Sequence, residues 1–470
     1  MFTRNPDTEP EVGERTLAQK TFSTAVADVP LRPFQAMVIF FGLALLVIDG
    51  IDLHSLNLVV PEIVADPGWS IGEGGELGPA LSASLFGMAF GSIFGGMLGD
   101  RIGRLITLFI ASMIFGSATI GASYTNEVWQ LAAIRVFGGL GFGAAYPNGL
   151  ALVSDWVNER WRPHAVSILS IGIPVGILVS SFAMRFLLPE HGWRGTFVIF
   201  GTGALILGFL AIVLLREPPG YLLGKGKKEA AQKNAARVID PGIDLIPERE
   251  NDADTPSSEK IGIFDKRNVR LNIGMVISFS ATTALVYGLL NWATHLLTTA
   301  GFTPDQARVA GEWQGILSVI GGLSAGFVTR HFGSKAVTIV LASLILATIL
   351  ALGWMVESVA GAPTASDRQI IILLEGLAVG LVSMMITVFY VVMAYGYPPS
   401  CRAGGIGFII TSGRLLTIAM VWYGGALIDL GGEHSFIWYF AALVAISMLV
   451  FAAAFIIDCH VEPKRKVSGA

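Results

Sequence analysis

Two aspartates, Asp49 and Asp52, stand in the otherwise apolar run FFGLALLVIDGIDLHSLNLVVPEI. Ionised carboxylates are costly in hydrocarbon, so acids in such a run read as functional residues. Their i, i+3 spacing puts both on one face of a helix. That face is expected to look into a bundle or a watery cavity. A carboxylate held in low dielectric between a like charge and an opposite charge can change protonation as its surroundings change, which is the chemistry of proton carriage. Counted from Pro33, Asp49 lies ~24 Å along the helix axis. Arg135, ~9 Å in from Trp129 on a later apolar stretch, reaches a similar depth from the opposite end. An Asp–Arg135 pair then has two readings: a fixed structural ion pair, or a protonation switch.

A second cation, Arg414, sits ~16 Å into its own apolar stretch when counted from Ala403. A buried guanidinium offers a rigid fork to a carboxylate. Its partner is either a bound anion or Glu375 on the preceding stretch. Tyr287, Asn291 and His295 step by four and share one helix face, with Trp292 beside them. An aromatic and an amide there suit a flat ring bearing hydroxyls, and equally suit plain packing with satisfied neighbours. His54 and Asn57 follow the acid pair and add polar groups to the same helix. Phe389, Tyr390 and Tyr395 read as cavity wall or as packing. Cys401 and Cys459 are the only cysteines. No Cys or His spacing suits a metal, and neither a metal nor a cofactor is expected.

The elements that position these residues are long apolar helices. The 470-residue chain is 53% hydrophobic and 14% charged, whereas soluble domains carry about 25% charge. Its 56 glycines suit close helix packing in a membrane. A net charge of −4 gives no reason to expect a nucleic-acid partner. Twelve stretches are long enough to span a bilayer: 34–63, 78–98, 105–123, 128–153, 164–188, 194–215, 270–299, 307–329, 336–356, 369–396, 403–428 and 435–457. The fold class is therefore an all-α integral membrane protein with twelve transmembrane helices in two pseudo-symmetric six-helix bundles.

Sidedness follows from Lys and Arg in short loops. One side holds Arg101, Arg104, Arg160, Arg162, Arg330, Lys335, Arg402 and Lys464-Arg465-Lys466. The other holds Arg185, Arg194, Arg308 and Arg368 with Asp66, Glu73, Glu76, Glu127 and Asp429. The basic side is expected to be cytoplasmic, with both termini on it. The domains expected are a tail over 1–33, a bundle over 34–215, a linker over 216–269, a bundle over 270–457 and a tail over 458–470. The linker is charged, without an apolar period, and is expected to hold one short amphipathic helix near Lys225–Val238.

Gly96-x3-Asp100-x2-Gly103-Arg104 lies between the second and third spans, and Gly326-x3-Arg330-x2-Gly333-x-Lys335 lies 230 residues later. The glycines permit a tight turn. Asp100 can cap or charge-pair across helix ends, and Arg101 and Arg104 can latch to carboxylates. In the second copy Arg330 stands where the first has an acid. The first loop resembles the signature of the major facilitator superfamily, and twelve spans with a long central loop are similar to that family throughout. Asp49-Gly-x-Asp52, the run Arg135-Val-Phe-Gly-Gly-Leu-Gly-Phe-Gly-Ala-Ala-Tyr-Pro-Asn148, and Arg402-Ala-Gly-Gly-Ile-Gly407 with Gly413-Arg414 resemble its aromatic acid:proton symporter branch.

The resemblance implies uptake of a benzoate-like or related acid anion with protons, by alternating access. Another substrate on the same scaffold, such as a sugar acid, dicarboxylate or drug, is the alternative. It further implies proton coupling at Asp49 and Asp52. By matching position it also gives Arg135, Arg402 and Arg414 a part in transport. The residues' own chemistry leads us to expect substrate contact at Arg135, Arg414, Asn291, Tyr287, His54, Asn57 and Glu375, and gating at Asp100, Arg101, Gly103, Arg104 and Arg402. His54 and Asn57 depart from the branch, which more often has small or apolar residues there. The expected setting is the lipid bilayer of a bacterial inner membrane, the expected state a monomer, and no enzymatic step is involved.

Overall fold

The computed structural model describes residues 18–27, 29–69, 77–158, 161–240, 242–247, 263–359, 363–397, 402–431, 436–459 and 461. Glu73, Glu76, Arg160, Cys401 and Lys464-Arg465-Lys466 lie outside these. The described chain begins with strand β1 (Ala18–Lys20) and helix α1 (Phe22–Val26). There follow α2 (Pro33–Leu58), α3 (Val60–Val64), α4 (Gly78–Ile102), α5 (Arg104–Ala122), α6 (Val128–Trp156), α7 (Arg162–Ser170) and α8 (Gly172–Leu214). A connecting segment carries α9 (Pro219–Gly224), α10 (Lys228–Ala235) and β2 (Ile243–Leu245). The second half is α11 (Val269–Thr299), α12 (Pro304–Phe332), α13 (Ser334–Ser358), α14 (Ala365–Gly396), α15 (Arg402–Asp429) and α16 (Ile437–Ala454).

Ten helical runs among the described residues are long and apolar enough to cross a bilayer. One of them, Ile168–Leu214, is two spans, because Gly192 at φ 62° turns the chain back. α12 adds another span, its apolar character diluted by Asp305, Arg308, Glu312, Gln314 and Arg330. Twelve spans result.

Two spans are interrupted. The first breaks at Val59 (φ −104°, ψ 5°), between α2 and α3. Pro61 accounts for this, since it lacks the N–H that would donate to the Asn57 carbonyl. The fifth breaks at Ile171, between α7 and α8. There Pro174 cannot donate to the Ser170 carbonyl.

The segments before and between the halves are more ordered than a plain tail and linker. β1 and β2 pair in parallel, with Ala18 opposite Ile243 and Lys20 opposite Leu245. This small strand pair is a departure from an all-helical chain. It brings the amino-terminal segment and the connecting segment to one face of the molecule, called here the linker face. Phe22 and Phe34 both meet the buried Trp156 edge-on, with ring centroids 5.8 and 4.8 Å away. The expected amphipathic helix is present as α10.

Within the first half α4 packs on α6, α2 on α8, and α5 on both α6 and α8. In the second, α12 packs on α14, α11 on α15, and α13 on α14 and α16. Small residues make the closest crossings. Gly87, Gly91 and Gly95 on α4 lie against Gly139, Leu140 and Ala144 on α6, so a side chain at any of the three would meet α6 backbone. Four-residue spacing of glycine on one helix face lets two backbones approach, which is how helices associate without a hydrophobic driving force.

The loop between α4 and α5 is built around Gly103, whose φ of 115° a β-carbon would strain. Glu217 reaches it from the connecting segment. Its carboxylate accepts from the backbone N–H groups of Arg104, Leu105 and Ile106 at 3.1, 3.0 and 3.2 Å. These are the unsatisfied donors of a helix start, where negative charge is favoured. Burial holds the Glu217 carboxyl above its usual range, and the three N–H bonds and the Arg104 charge offset only part of that rise. The expected role for Asp100 as a cap is filled by Glu217. Asp100 itself is exposed and makes no ion pair among the described residues. Arg104 pairs instead with Asp155 at the end of α6.

The matching turn before α13 uses Gly333 at φ 84°, and there the Ser334 N–H donates to the Val461 carbonyl at 2.9 Å. Two copies of one turn thus meet the same need with a linker carboxylate in one half and a carboxy-terminal carbonyl in the other. Replacing Glu217 by Ala should lower stability by about 1–2 kcal/mol. Hydrogen exchange should speed up at the Arg104–Ile106 amides before anywhere else in the first half, and unchanged exchange there would remove Glu217 from the cap.

Candidate functional site

A cavity of ≈ 710 Å³ lies between the two halves, lined by residues of both. It is closed on the side away from the linker face, the far face. There Gly78 of α4 meets the Trp422 backbone of α15, and Gly315 of α12 meets Leu178 of α8. Two ion pairs also cross between halves on that side. Arg185 meets Glu312 at 2.6 Å, and Arg308 meets Glu62 while also holding Asp305. Toward the linker face the lining continues to Ser170, Gly326 and Val391.

The first half gives the cavity one acid. Asp49 lines it, is 1% exposed, and neither carboxylate oxygen has a hydrogen-bond partner among the described residues. Asp52 does not line it. Its Oδ2 accepts from Arg135 Nη1 at 2.5 Å and its Oδ1 from the Thr119 hydroxyl at 2.7 Å. Both members of this ion pair are buried inside the first half. The expectation that the two aspartates share one pocket is therefore corrected. Three residues on a helix leave a ~60° offset between side chains. On α2, which stands at the corner between the cavity and α5–α6, that offset sends Asp49 to one side and Asp52 to the other. Arg135, expected at the substrate, is likewise withdrawn from the cavity by its carboxylate.

The second half gives the cavity one cation. Arg414 lines it, ~18 Å from the start of α15. Glu375, considered as its partner, is elsewhere: buried between α14 and α12, it accepts from Gln314 Nε2 at 2.9 Å. Glu375 lies outside the cavity, so it is corrected as a substrate contact. Arg402 begins α15, but its side chain lies outside the described residues.

Around Arg414 stand Tyr287 of α11 and Tyr390 of α14, with Tyr146 of α6 facing them from the first half. Asp49, Tyr146 and Arg414 are close enough for their charges to interact. Tyr390 packs edge-on against Phe279, with centroids 5.7 Å apart. The second half also supplies hydroxyls: Ser383 donates to Ser318 at 2.9 Å and Thr417 to Thr283 at 3.0 Å, all four lining the cavity. Asn291, His54 and Asn57 line it as well. His295 does not; it pairs with Asp429 at 3.1 Å near the far face.

Sequence reasoning missed Tyr146. Its one available signal was the adjoining Pro147, which cannot donate to the Gly143 carbonyl and so marks a special turn of α6. The hydroxyl pairs were also missed, since Ser and Thr in apolar helices usually bond their own backbone.

The arrangement is a cation on one half and, on the other, an acid without a hydrogen-bond partner among the described residues, across a cavity sealed at one end. Among the described residues no group of three or more His, Cys, Asp or Glu side chains could hold a metal. Comparison with known proteins agrees with this picture. The family model described as Major Facilitator Superfamily matches residues 39–396. The chain is 27% identical over 438 residues to a protein named 4-hydroxybenzoate transporter PcaK from Acinetobacter baylyi, covering 91% of each. It is 25% identical to the Benzoate transport protein of the same organism, covering 92% of this chain and 91% of that one. A Gallate transporter of Pseudomonas putida is 23% identical over 86% of this chain and 87% of its own. Among solved structures, the xylose transporter XylE from E. coli, in a partially occluded inward open conformation, superposes with a TM-score of 0.70 at 18% identity. That match covers 90% of this chain and 96% of that one. With its twelve spans, its central cavity and a matching family model over most of its length, this chain belongs to the major facilitator superfamily.

Proposed function

We propose that the chain imports an aromatic acid anion together with protons by alternating access. The observation that carries this is the pairing, across one sealed cavity, of Arg414 on the second half with an unpartnered Asp49 on the first. The names of its relatives support the aromatic acid as cargo. The Lys and Arg bias supports assigning the linker face to the cytoplasm, with both termini there and the bilayer being a bacterial inner membrane. The protein acts as a monomer in this reading, since each chain contains a complete cavity.

In the cycle, the halves first part on the far face. A proton settles on Asp49, and the anion docks its carboxylate on the Arg414 fork with its ring against the tyrosines. Each charge now has its counterpart, which lowers the cost of excluding water as the far side closes. The halves then separate on the linker face, as in the conformation described here, and both cargoes leave. Asp52, Arg135 and Thr119 hold α2, α5 and α6 together throughout. The α4–α5 loop, fixed by Glu217 and Asp155, moves with the first half as a rigid corner. No covalent step and no cofactor is involved.

Asp49→Asn should abolish concentrative uptake of labelled aromatic acids while the protein still reaches the membrane. Asp52→Asn should act differently. It strands a buried guanidinium, which costs ~3–5 kcal/mol, so the amount of folded protein should fall. Uptake per molecule that persists in Asp49→Asn would remove that residue from coupling. Arg414→Lys should weaken binding of carboxylates about tenfold or more, since an ammonium cannot fork. Unchanged affinity would assign Arg414 to structure.

A further inference from the structure

His54 and Asn57 are polar side chains with no visible purpose in the cycle above. They lie at the closed end of the cavity and are 2% and 1% exposed. Among the described residues neither ring nitrogen of His54 has a hydrogen-bond partner, and neither does Oδ1 of Asn57. Asn57 Nδ2 is spent on the Leu53 carbonyl at 3.1 Å. Buried polar groups are normally paired, and leaving them unpaired is costly. Leucines at these positions would serve packing better, as Leu53 and Leu56 do on the same helix. The imidazole has room only because residue 311 of α12 is glycine: a β-carbon there would come within 2.8 Å of His54 Nε2.

Depth along the helices orders the cavity. Arg414 lies ~18 Å from the linker-face end of α15, whereas His54 and Asn57 lie ~32 and ~36 Å from that end of α2. Asn291, from the second half, lies at ~33 Å along α11. A flat acid with its carboxylate on Arg414 therefore points its other end at this group.

The geometry points to a second polar subsite, in which His54 and Asn57 bind a hydroxyl carried by the cargo on the side of its ring remote from the carboxylate. The inference rests on the aromatic-acid reading above and names which acids within that class are preferred. A hydroxyl both donates and accepts. Asn57 Oδ1 is a free acceptor for its proton, and an imidazole N–H is a donor to its oxygen. A second carboxylate would face Asn57 Oδ1, an acceptor, and the cations nearest that end, Arg185 and Arg308, are already held by Glu312 and by Glu62 and Asp305. An unsubstituted ring would leave all three polar atoms unpaired. Both alternatives are disfavoured by the same rule that lets a hydrogen-bonding pocket reject an analogue lacking the group. Gly311 on α12 and Ser181 on α8 close over His54 in the conformation described here. The subsite is thus offered when the far side opens and withdrawn when it shuts, which favours release toward the linker face.

The test is competition of 4-hydroxybenzoate, benzoate and terephthalate for uptake into proteoliposomes holding the full chain. The wild type should prefer 4-hydroxybenzoate over either of the others about tenfold or more. In His54→Leu and in Asn57→Leu that preference should shrink to about twofold or less, and His54→Gln, which keeps a donor and an acceptor, should recover part of it. A wild-type preference near one, or variants that keep the wild-type ratio, would overturn the subsite while leaving the aromatic-acid reading intact. Should either leucine variant fail to reach the membrane, Asn57→Ser and the wild-type series still decide it. If none of the three acids competes or is taken up, the aromatic-acid reading fails and the subsite with it.

Discussion

The arrangement depends on one constraint: an ionised group in the membrane interior needs a counter-charge or a proton. The first half meets it twice and differently. Asp52 is answered permanently by Arg135 and Thr119, inside the packing of α2, α5 and α6. Asp49, one turn away, has no hydrogen-bond partner among the described residues. A fixed pair stabilises a helix arrangement and cannot report on anything. An unanswered acid ties the cost of closing the cavity to whatever enters it. Arg414 poses the complementary problem on the other half, since a cation there is balanced best by an anion that comes and goes.

The two halves share a plan but divide the labour. Both use a glycine turn of positive φ between their second and third helices, at Gly103 and Gly333. Only the first is braced by a linker carboxylate. The cavity wall is divided likewise, with the acid on the first half and the cation and hydroxyl pairs on the second. Coupling then needs no wire between sites. In the proposed cycle, proton and anion bind groups on opposite halves, and the free energy of bringing those halves together depends on both being present. The tight glycine crossings of α4 on α6 and of α2 on α8 keep the first half rigid enough for that to hold.

Much of this was legible in the sequence. Span lengths follow from apolar runs, and residues stepping by four on α11 pointed to the cavity-facing Tyr287 and Asn291. Asp49 and Arg414 stood out because charge is rare at such depth. What was not legible depended on rotation and on distant partners. A ~60° offset between Asp49 and Asp52 is small on a helical wheel yet decides which faces the cavity. Glu375 looked like a partner for Arg414 until packing put it beside Gln314. Glu217 caps backbone 113 residues earlier in the chain, and nothing local in a charged linker marks one glutamate as a cap. The break before Pro61 was visible only as a proline, and prolines within membrane helices are often tolerated.

The central claim is that Asp49 carries the proton that accompanies the acid. It is tested most directly by following internal pH in proteoliposomes with a trapped indicator while an aromatic acid gradient is imposed without a membrane potential. The account predicts acid-driven proton movement in the wild type. It predicts none in Asp49→Asn, although exchange of labelled acid across the same vesicles continues. Acid-driven proton movement of wild-type size in Asp49→Asn would contradict it.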